Sequence, residues 1–133
     1  MTQLLEIAAV CFFDSRGALL TVRKRATHSF MLPGGKIEPA ETPLAAAVRE
    51  VAEELGITCD PAQLALLGRW GANAANESDT TVDAHVFVST DQIAPAASAE
   101  IEEIRWIALD GAVGGVRLAP LLIERVIPAL RAI

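Results

Sequence analysis

Residues 32–57 read LPGGKIEPAETPLAAAVREVAEELGI, and this stretch decides how the rest of the chain is understood. Thr42 followed by Pro43 is a helix cap followed by a first-turn proline, and Gly56 is a helix stop. The spacing predicts a helix from Pro43 to Leu55. On a helix of 3.6 residues per turn, Leu44, Val48, Val51 and Leu55 form a narrow apolar stripe for a core. Glu50 and Glu54 lie one turn apart with Glu53 on their flank, so three carboxylates gather on a side separated from that stripe. Like charges at these spacings cost an isolated helix roughly 0.2–0.5 kcal/mol per pair. Two accounts offset the repulsion: hydration of an acidic surface, or a hard divalent cation such as Mg²⁺, which prefers carboxylate oxygens and often bridges to substrate phosphates.

Outward from this helix the chain alternates between strand and turn patterns. Leu4 to Phe13 is apolar and strand-prone, Asp14 to Gly17 supplies turn chemistry, and Ala18 to Arg25 resumes the apolar pattern, which predicts a β-hairpin. Phe30 to Leu32 is a short strand-like stretch, with Pro33, Gly34 and Gly35 expected to interrupt it as a turn. Leu64 to Ala72 and Thr80 to Ser89 read as strands of a second hairpin, joined by the polar link Asn73 to Asp79. Thr90 to Ala99 reads as loop and Glu103 to Leu109 as strand. Leu118 to Leu130 has helical spacing, with Pro128 expected to end or kink it early. The order β-β-α-β-β-β-α points to an α/β (α+β) fold in which helices cover both faces of a mixed sheet.

The chain has 133 residues, 52% of them hydrophobic and 21% charged, so one domain spanning residues 1–133 with a sizeable core is expected. The longest apolar run, Ile7 to Phe13, is far shorter than the roughly 20 residues of a membrane-spanning helix. The N-terminal MTQLLEIAAV lacks the basic start and apolar run of an export signal, so a cytoplasmic location is expected. Eleven Lys and Arg against seventeen Asp and Glu give a net charge of −6, which opposes binding to a nucleic-acid polymer. If the ligand is anionic, a metal should mediate. Cys11 and Cys59 have no metal-ligand spacing and read as reduced packing residues.

The pattern Gly35-x5-Glu41-x7-Arg49-Glu50-Val51-x-Glu53-Glu54-x-Gly56-Ile57 resembles the Nudix box of the MutT-type hydrolases at every specified position, over residues 35–57. With average residue usage, a chance match in a chain of this length is below about 10⁻⁶. The resemblance implies a Nudix-type α/β/α sandwich and a Mg²⁺- or Mn²⁺-dependent pyrophosphohydrolase acting on a nucleoside diphosphate linked to another group. It implies Glu50, Glu53 and Glu54 as metal carboxylates, with the Gly35 carbonyl as a further ligand. Glu41 and Arg49 become a pair that holds the preceding loop onto the helix and orients its carboxylates, with direct phosphate contact the alternative role for Arg49. Gly34 and Gly35 allow the close backbone turn into the site.

Outside the box the readings are broader. Arg23, at the end of a strand, and Lys36, within the loop, are candidate phosphate contacts. The general base is Glu53 within the box, or Glu100, Glu102 or Glu103 later in the chain, or Glu77 in the polar link. His28 and His85 have no ligand spacing and read as packing residues. Because GGKIE resembles the MutT branch, (deoxy)nucleoside triphosphates, including damaged ones, are the first substrate class. Dinucleoside polyphosphates, ADP-ribose and nucleotide sugars stay open, as does homodimerisation. The competing reading is a Nudix-fold module that binds nucleotide without hydrolysing it; such modules often lose a box carboxylate, and this chain keeps all of them.

Overall fold

The apolar run near the N-terminus becomes a central strand buried on both faces, and its alternation sets the layers. The computed structural model describes residues 2–110 and 115–133. The strands are β1 (Gln3–Cys11), β2 (Leu19–Lys24), β3 (Gly34–Lys36), β4 (Leu64–Asn73), β5 (Thr80–Ser89) and β6 (Ile101–Ile107), with the helices α1 (Pro43–Leu55) and α2 (Ile127–Arg131). A mixed sheet runs in the order β3-β1-β5-β4, and β2 pairs with β6 in a separate two-stranded sheet. β1 is antiparallel to β3 and parallel to β5. Ala8, Val10 and Phe12 of the first run pack with Ala46, Ala47, Val51 and Leu55 of α1. The alternate residues Ala9 and Cys11 pack with Leu122, Val126 and Ile127 on the opposite side. One strand thus serves two cores, with helices on both faces, as the α/β/α expectation required. Cys11 and Cys59 are both buried and free, and burial pushes the Cys11 thiol up to about 12.

Helix α1 spans the residues its capping signals indicate. Thr42 Oγ1 accepts from the Ala45 N–H at 3.1 Å, and Gly56 closes the helix in the left-handed region with φ 67°. Its buried face differs from the expected stripe: Ala46, Ala47, Val51, Glu54 and Leu55 are buried, whereas Leu44 and Val48 are only half-buried. The small alanines let the helix rest close to β1, which rolls Glu54 into the interior rather than leaving it on a solvated face.

Three other expectations are corrected. The first hairpin is not a paired hairpin: its turn forms, with Asp14 Oδ1 accepting from the Arg16 and Ala18 N–H groups, but only a Phe13–Leu19 bridge links the arms before they part into different sheets. β2 instead pairs with β6, where Arg23 faces Glu103 and Thr21 Oγ1 donates to the Arg105 carbonyl at 2.7 Å. Gly34 and Gly35 do not interrupt a strand; they begin β3. Pro128 does not stop the last helix either. A wide π turn over Leu122–Val126 precedes α2, which carries Pro128 near its start, where a missing N–H is tolerated. The β4–β5 hairpin forms as expected, and Thr90 to Ala99 is irregular. Among the described residues no helix is long and apolar enough to cross a membrane.

Gly34 is where β3 meets β1 most closely. A Cβ at this position would lie 2.2 Å from the Ala8 carbonyl oxygen and 2.7 Å from Ala9 Cα, and its φ of 154° is itself one that side chains resist. Gly34→Ala is therefore expected to destabilise the protein by roughly 1–3 kcal/mol, the usual range for overpacking a rigid contact. Thermal or urea unfolding measures it, and an unchanged midpoint would contradict the close approach.

Candidate functional site

The loop between β3 and α1 is fastened to the helix by one guanidinium. Arg49 donates from Nε to Glu41 Oε2 at 2.8 Å and from Nη2 to Glu41 Oε1 at 2.9 Å, a two-pronged pair matched to the planar fork of arginine. The same side chain donates to the Lys36 carbonyl at 2.9 Å and to Glu50 Oε1 at 2.8 Å, and its Nη1 lies 3.5 Å from Glu53 Oε1. Glu41 Oε1 also accepts from the Glu38 N–H. The hydrogen bonds from Arg49, aided by that N–H, hold the Glu41 carboxyl down to about 2. The Glu41 and Glu50 carboxylates hold Arg49 protonated more firmly than a free guanidinium.

Glu54 is the carboxylate the fold treats differently. It is 3% exposed, and its Oε1 accepts from the Gly34 N–H at 2.9 Å. Burial pushes its carboxyl up to about 7. The Gly34 hydrogen bond and the charge of Lys24 oppose that rise, while the charges of Glu50 and Glu100 add to it. Glu50 rests against Gly35: a Cβ there would stand 2.6 Å from the Glu50 carboxyl carbon and 2.7 Å from Oε2. Successive glycines thus receive two carboxylates, Gly34 by its N–H and Gly35 by its missing side chain. Glu53 is 55% exposed and turned toward Arg49. The last carbonyls of α1 are capped by the loop before β6: Ser98 donates from its N–H to the Glu54 carbonyl and from Oγ to the Glu53 carbonyl.

On the far side of the same glycines lies a cleft of about 200 Å³, walled largely by aliphatic residues including Leu5, Ile7, Ala9, Leu32, Val82 and Leu122. Gly34 and Gly35 belong to this wall too, so the cleft and the carboxylates meet along the β3 backbone. The charged members of the wall are Lys24, Lys36 and Glu77.

The site residues expected from the sequence separate accordingly. Glu41, Arg49, Glu50, Glu53, Glu54, Gly34, Gly35 and Lys36 are brought together at the loop–helix junction. Arg23 is not a member of the cleft wall; its guanidinium is occupied by Glu102 at 3.0 Å, Glu103 at 3.3 Å and the Thr27 carbonyl at 2.9 Å. Glu102 and Glu103 lie on β6, paired with arginines, rather than on a loop over the site. Glu100 lies just before β6, 3.8 Å from Lys24 Nζ, and Glu77 edges the cleft. Lys24 and Asn73 were not singled out by the sequence reading. The run Arg23-Lys24-Arg25 does signal basic chemistry there, but neighbouring strand residues face opposite sides, and packing puts Lys24 and not Arg23 on the cleft wall.

The donor set suits a hard divalent cation. Glu54 is a buried carboxylate with a neutral N–H as its hydrogen-bond partner, and the Glu50 cradle holds a second oxygen pair beside the same backbone. Among the described residues no three Asp, Glu, His or Cys side chains converge as a finished metal cage, because Glu50 and Glu53 are drawn toward Arg49.

A sandwich whose Glu-bearing helix is strapped through arginine to a glycine strand, beside an apolar cleft, defines a class of protein. The NUDIX domain model matches residues 4–128, and the chain belongs to the Nudix family. Over 85 residues it is 36% identical to diphosphoinositol polyphosphate phosphohydrolase 3-beta of Bos taurus, a match that takes in 62% of this chain and 48% of that protein. The chain thus spans about half the length of that curated relative. Among solved structures it resembles the MutT protein of Methanosarcina mazei Go1, with 24% identity, a TM-score of 0.78, and coverage of 98% of this chain and 96% of that one. It also resembles the MutT NUDIX hydrolase of Burkholderia pseudomallei, with 26% identity, a TM-score of 0.67, and coverage of 81% and 85%.

The Glu41–Arg49 strap has a pH signature. The folded-state pKa of Glu41 is lowered from 4.5 to about 2, so its stabilisation is full above about pH 4.5 and lost as pH falls through about 2. Glu41→Gln is expected to be less stable than the parent at neutral pH, with the gap closing in acid. Urea midpoints of both proteins across pH 2–6 check it, and a gap that ignores pH would count against the strap.

Proposed function

We propose that this chain is a Mg²⁺- or Mn²⁺-dependent pyrophosphohydrolase that cleaves a phosphoanhydride bond of a nucleoside diphosphate derivative, with (deoxy)nucleoside triphosphates as its first substrate class. The observation that carries this reading is the buried Glu54 carboxylate, held by the Gly34 N–H where the apolar cleft begins. A buried acid paired with a neutral donor is costly unless a cation completes it.

In this reading Glu50, Glu54 and Glu53, with the Gly35 carbonyl, hold the cation. When bound, it neutralises charge on the diphosphate and eases deprotonation of the attacking water. Arg49 shares Glu50 and Glu53 with the cation and so sets how far they turn toward Glu54, while Glu41 keeps Arg49 from swinging away. Water attacks phosphorus, the bridging P–O bond breaks, and the proton passes to a carboxylate, with Glu53 and Glu100 the candidates on this side of the fold. Lys36, on the cleft wall, contacts phosphate. The cleft takes the organic part of the substrate.

The bovine relative supplies a second reading, in which the substrate is a diphosphoinositol polyphosphate. The cleft argues against it: a densely phosphorylated ring needs many cations, whereas this wall is aliphatic and contributes two lysines and one glutamate.

Glu54→Gln keeps the size and the hydrogen-bond acceptor but removes the charge. It is expected to lower Mg²⁺-dependent hydrolysis of nucleoside triphosphates by about 100-fold or more, with thermal stability retained or raised because a buried charge is gone. Full activity in that variant would overturn the proposal; tight nucleotide binding by the parent without turnover in either metal would favour the non-catalytic module.

A further inference from the structure

The cleft separates affinity from selectivity. Its walls are aliphatic, and burial of a flat ring against leucine, isoleucine and valine is non-directional, rewarding any planar heterocycle about equally. Choice among heterocycles must come from the polar groups on the wall. Lys24 is engaged with Glu100 at 3.8 Å, and Lys36 sits next to Gly35, on the phosphate side. Asn73 carries both a donor and an acceptor and can turn its amide to suit either pattern. Glu77 is different in kind. It comes from the link between β4 and β5, it edges the cleft, and among the described residues its carboxylate has no hydrogen bond or ion pair. An ionised carboxylate accepts through both oxygens and cannot donate.

We infer that Glu77 is the specificity-determining residue of the cleft, selecting a heterocycle that presents two adjacent N–H donors, the pattern of the guanine edge, over one that presents acceptors there. A ring N–H beside an exocyclic amino group matches two carboxylate oxygens as a guanidinium does. Adenine places a bare ring nitrogen at the corresponding position, which faces the carboxylate lone pairs, and hypoxanthine keeps the ring N–H but lacks the amino group. The selection follows from an acceptor-only group at the rim of a pocket that otherwise does not discriminate. The inference rests on the nucleotide reading proposed above and goes beyond it by assigning base choice to one side chain.

The test uses nucleoside monophosphates, which have no anhydride to cleave, in calorimetric titrations of the protein in saturating Mg²⁺. The parent is expected to bind GMP about tenfold more tightly than IMP, with AMP weaker still. Glu77→Ala should bring the three within about twofold by weakening GMP, and Glu77→Gln, which swaps one acceptor for a donor, should narrow the GMP preference without restoring it. Because Glu77 is exposed, both variants should melt like the parent, so a change in nucleotide preference reads the cleft and not the fold. A GMP preference that survives Glu77→Ala, or a parent with no preference, overturns this inference alone. Failure of all three nucleotides to bind overturns it together with the nucleotide reading.

Discussion

The hydrogen bond from the Gly34 N–H to Glu54 is the contact on which the rest of the site depends. It requires a strand backbone close enough to α1 to reach a buried carboxylate, which requires a residue without a side chain where β3 packs on the Ala8 carbonyl. It also requires the helix to lie near the sheet, which Ala46 and Ala47 permit because larger residues would lift it away. A single spacing between helix and strand therefore decides whether the acid is buried, whether Glu50 fits over Gly35, and whether the cleft opens beside both.

Around that contact the charges are arranged by sharing. Arg49 reaches Glu41, Glu50 and Glu53 and also fastens the Lys36 carbonyl, so one side chain ties the loop and the strand to the acidic side of the helix. The Ser98 segment closes the other end of α1 and brings the chain toward Glu100 and its ion pair with Lys24. Packing and electrostatics serve the same purpose here: a helix carrying three like charges is tied to the preceding loop by its own Arg49 and closed at its C-terminal end by the Ser98 donors. What results is a cluster of oxygens whose mutual repulsion is only partly offset, next to a cleft whose wall is mostly hydrocarbon.

Much of this was legible in the residues because it depends on local rules. Thr42, Pro43 and Gly56 bound α1 by satisfying or omitting terminal backbone groups, a property of a few neighbouring residues. The β4–β5 hairpin follows from two alternating runs joined by a polar link. The unbroken box spacing singled out Glu41, Arg49 and the three glutamates, and the structure gathers them because they share one helix and the loop that enters it. Misreadings arose where two distant segments competed for the same partner. β2 pairs with β6 across some eighty residues instead of with its neighbour, and Gly34 and Gly35 look like a turn until β1 supplies the edge against which they extend.

By itself the sequence determined the helix and its acidic series, and through the resemblance of its box it implied the arginine strap and the family, since these rest on spacings along one stretch of chain. Only the tertiary structure decided that Glu54 is buried while Glu53 is exposed, that Lys24 rather than Arg23 faces the cleft, and that Glu77 stands at its rim. Those outcomes depend on which surfaces are removed from water and which strand register wins, and both are properties of the packed whole.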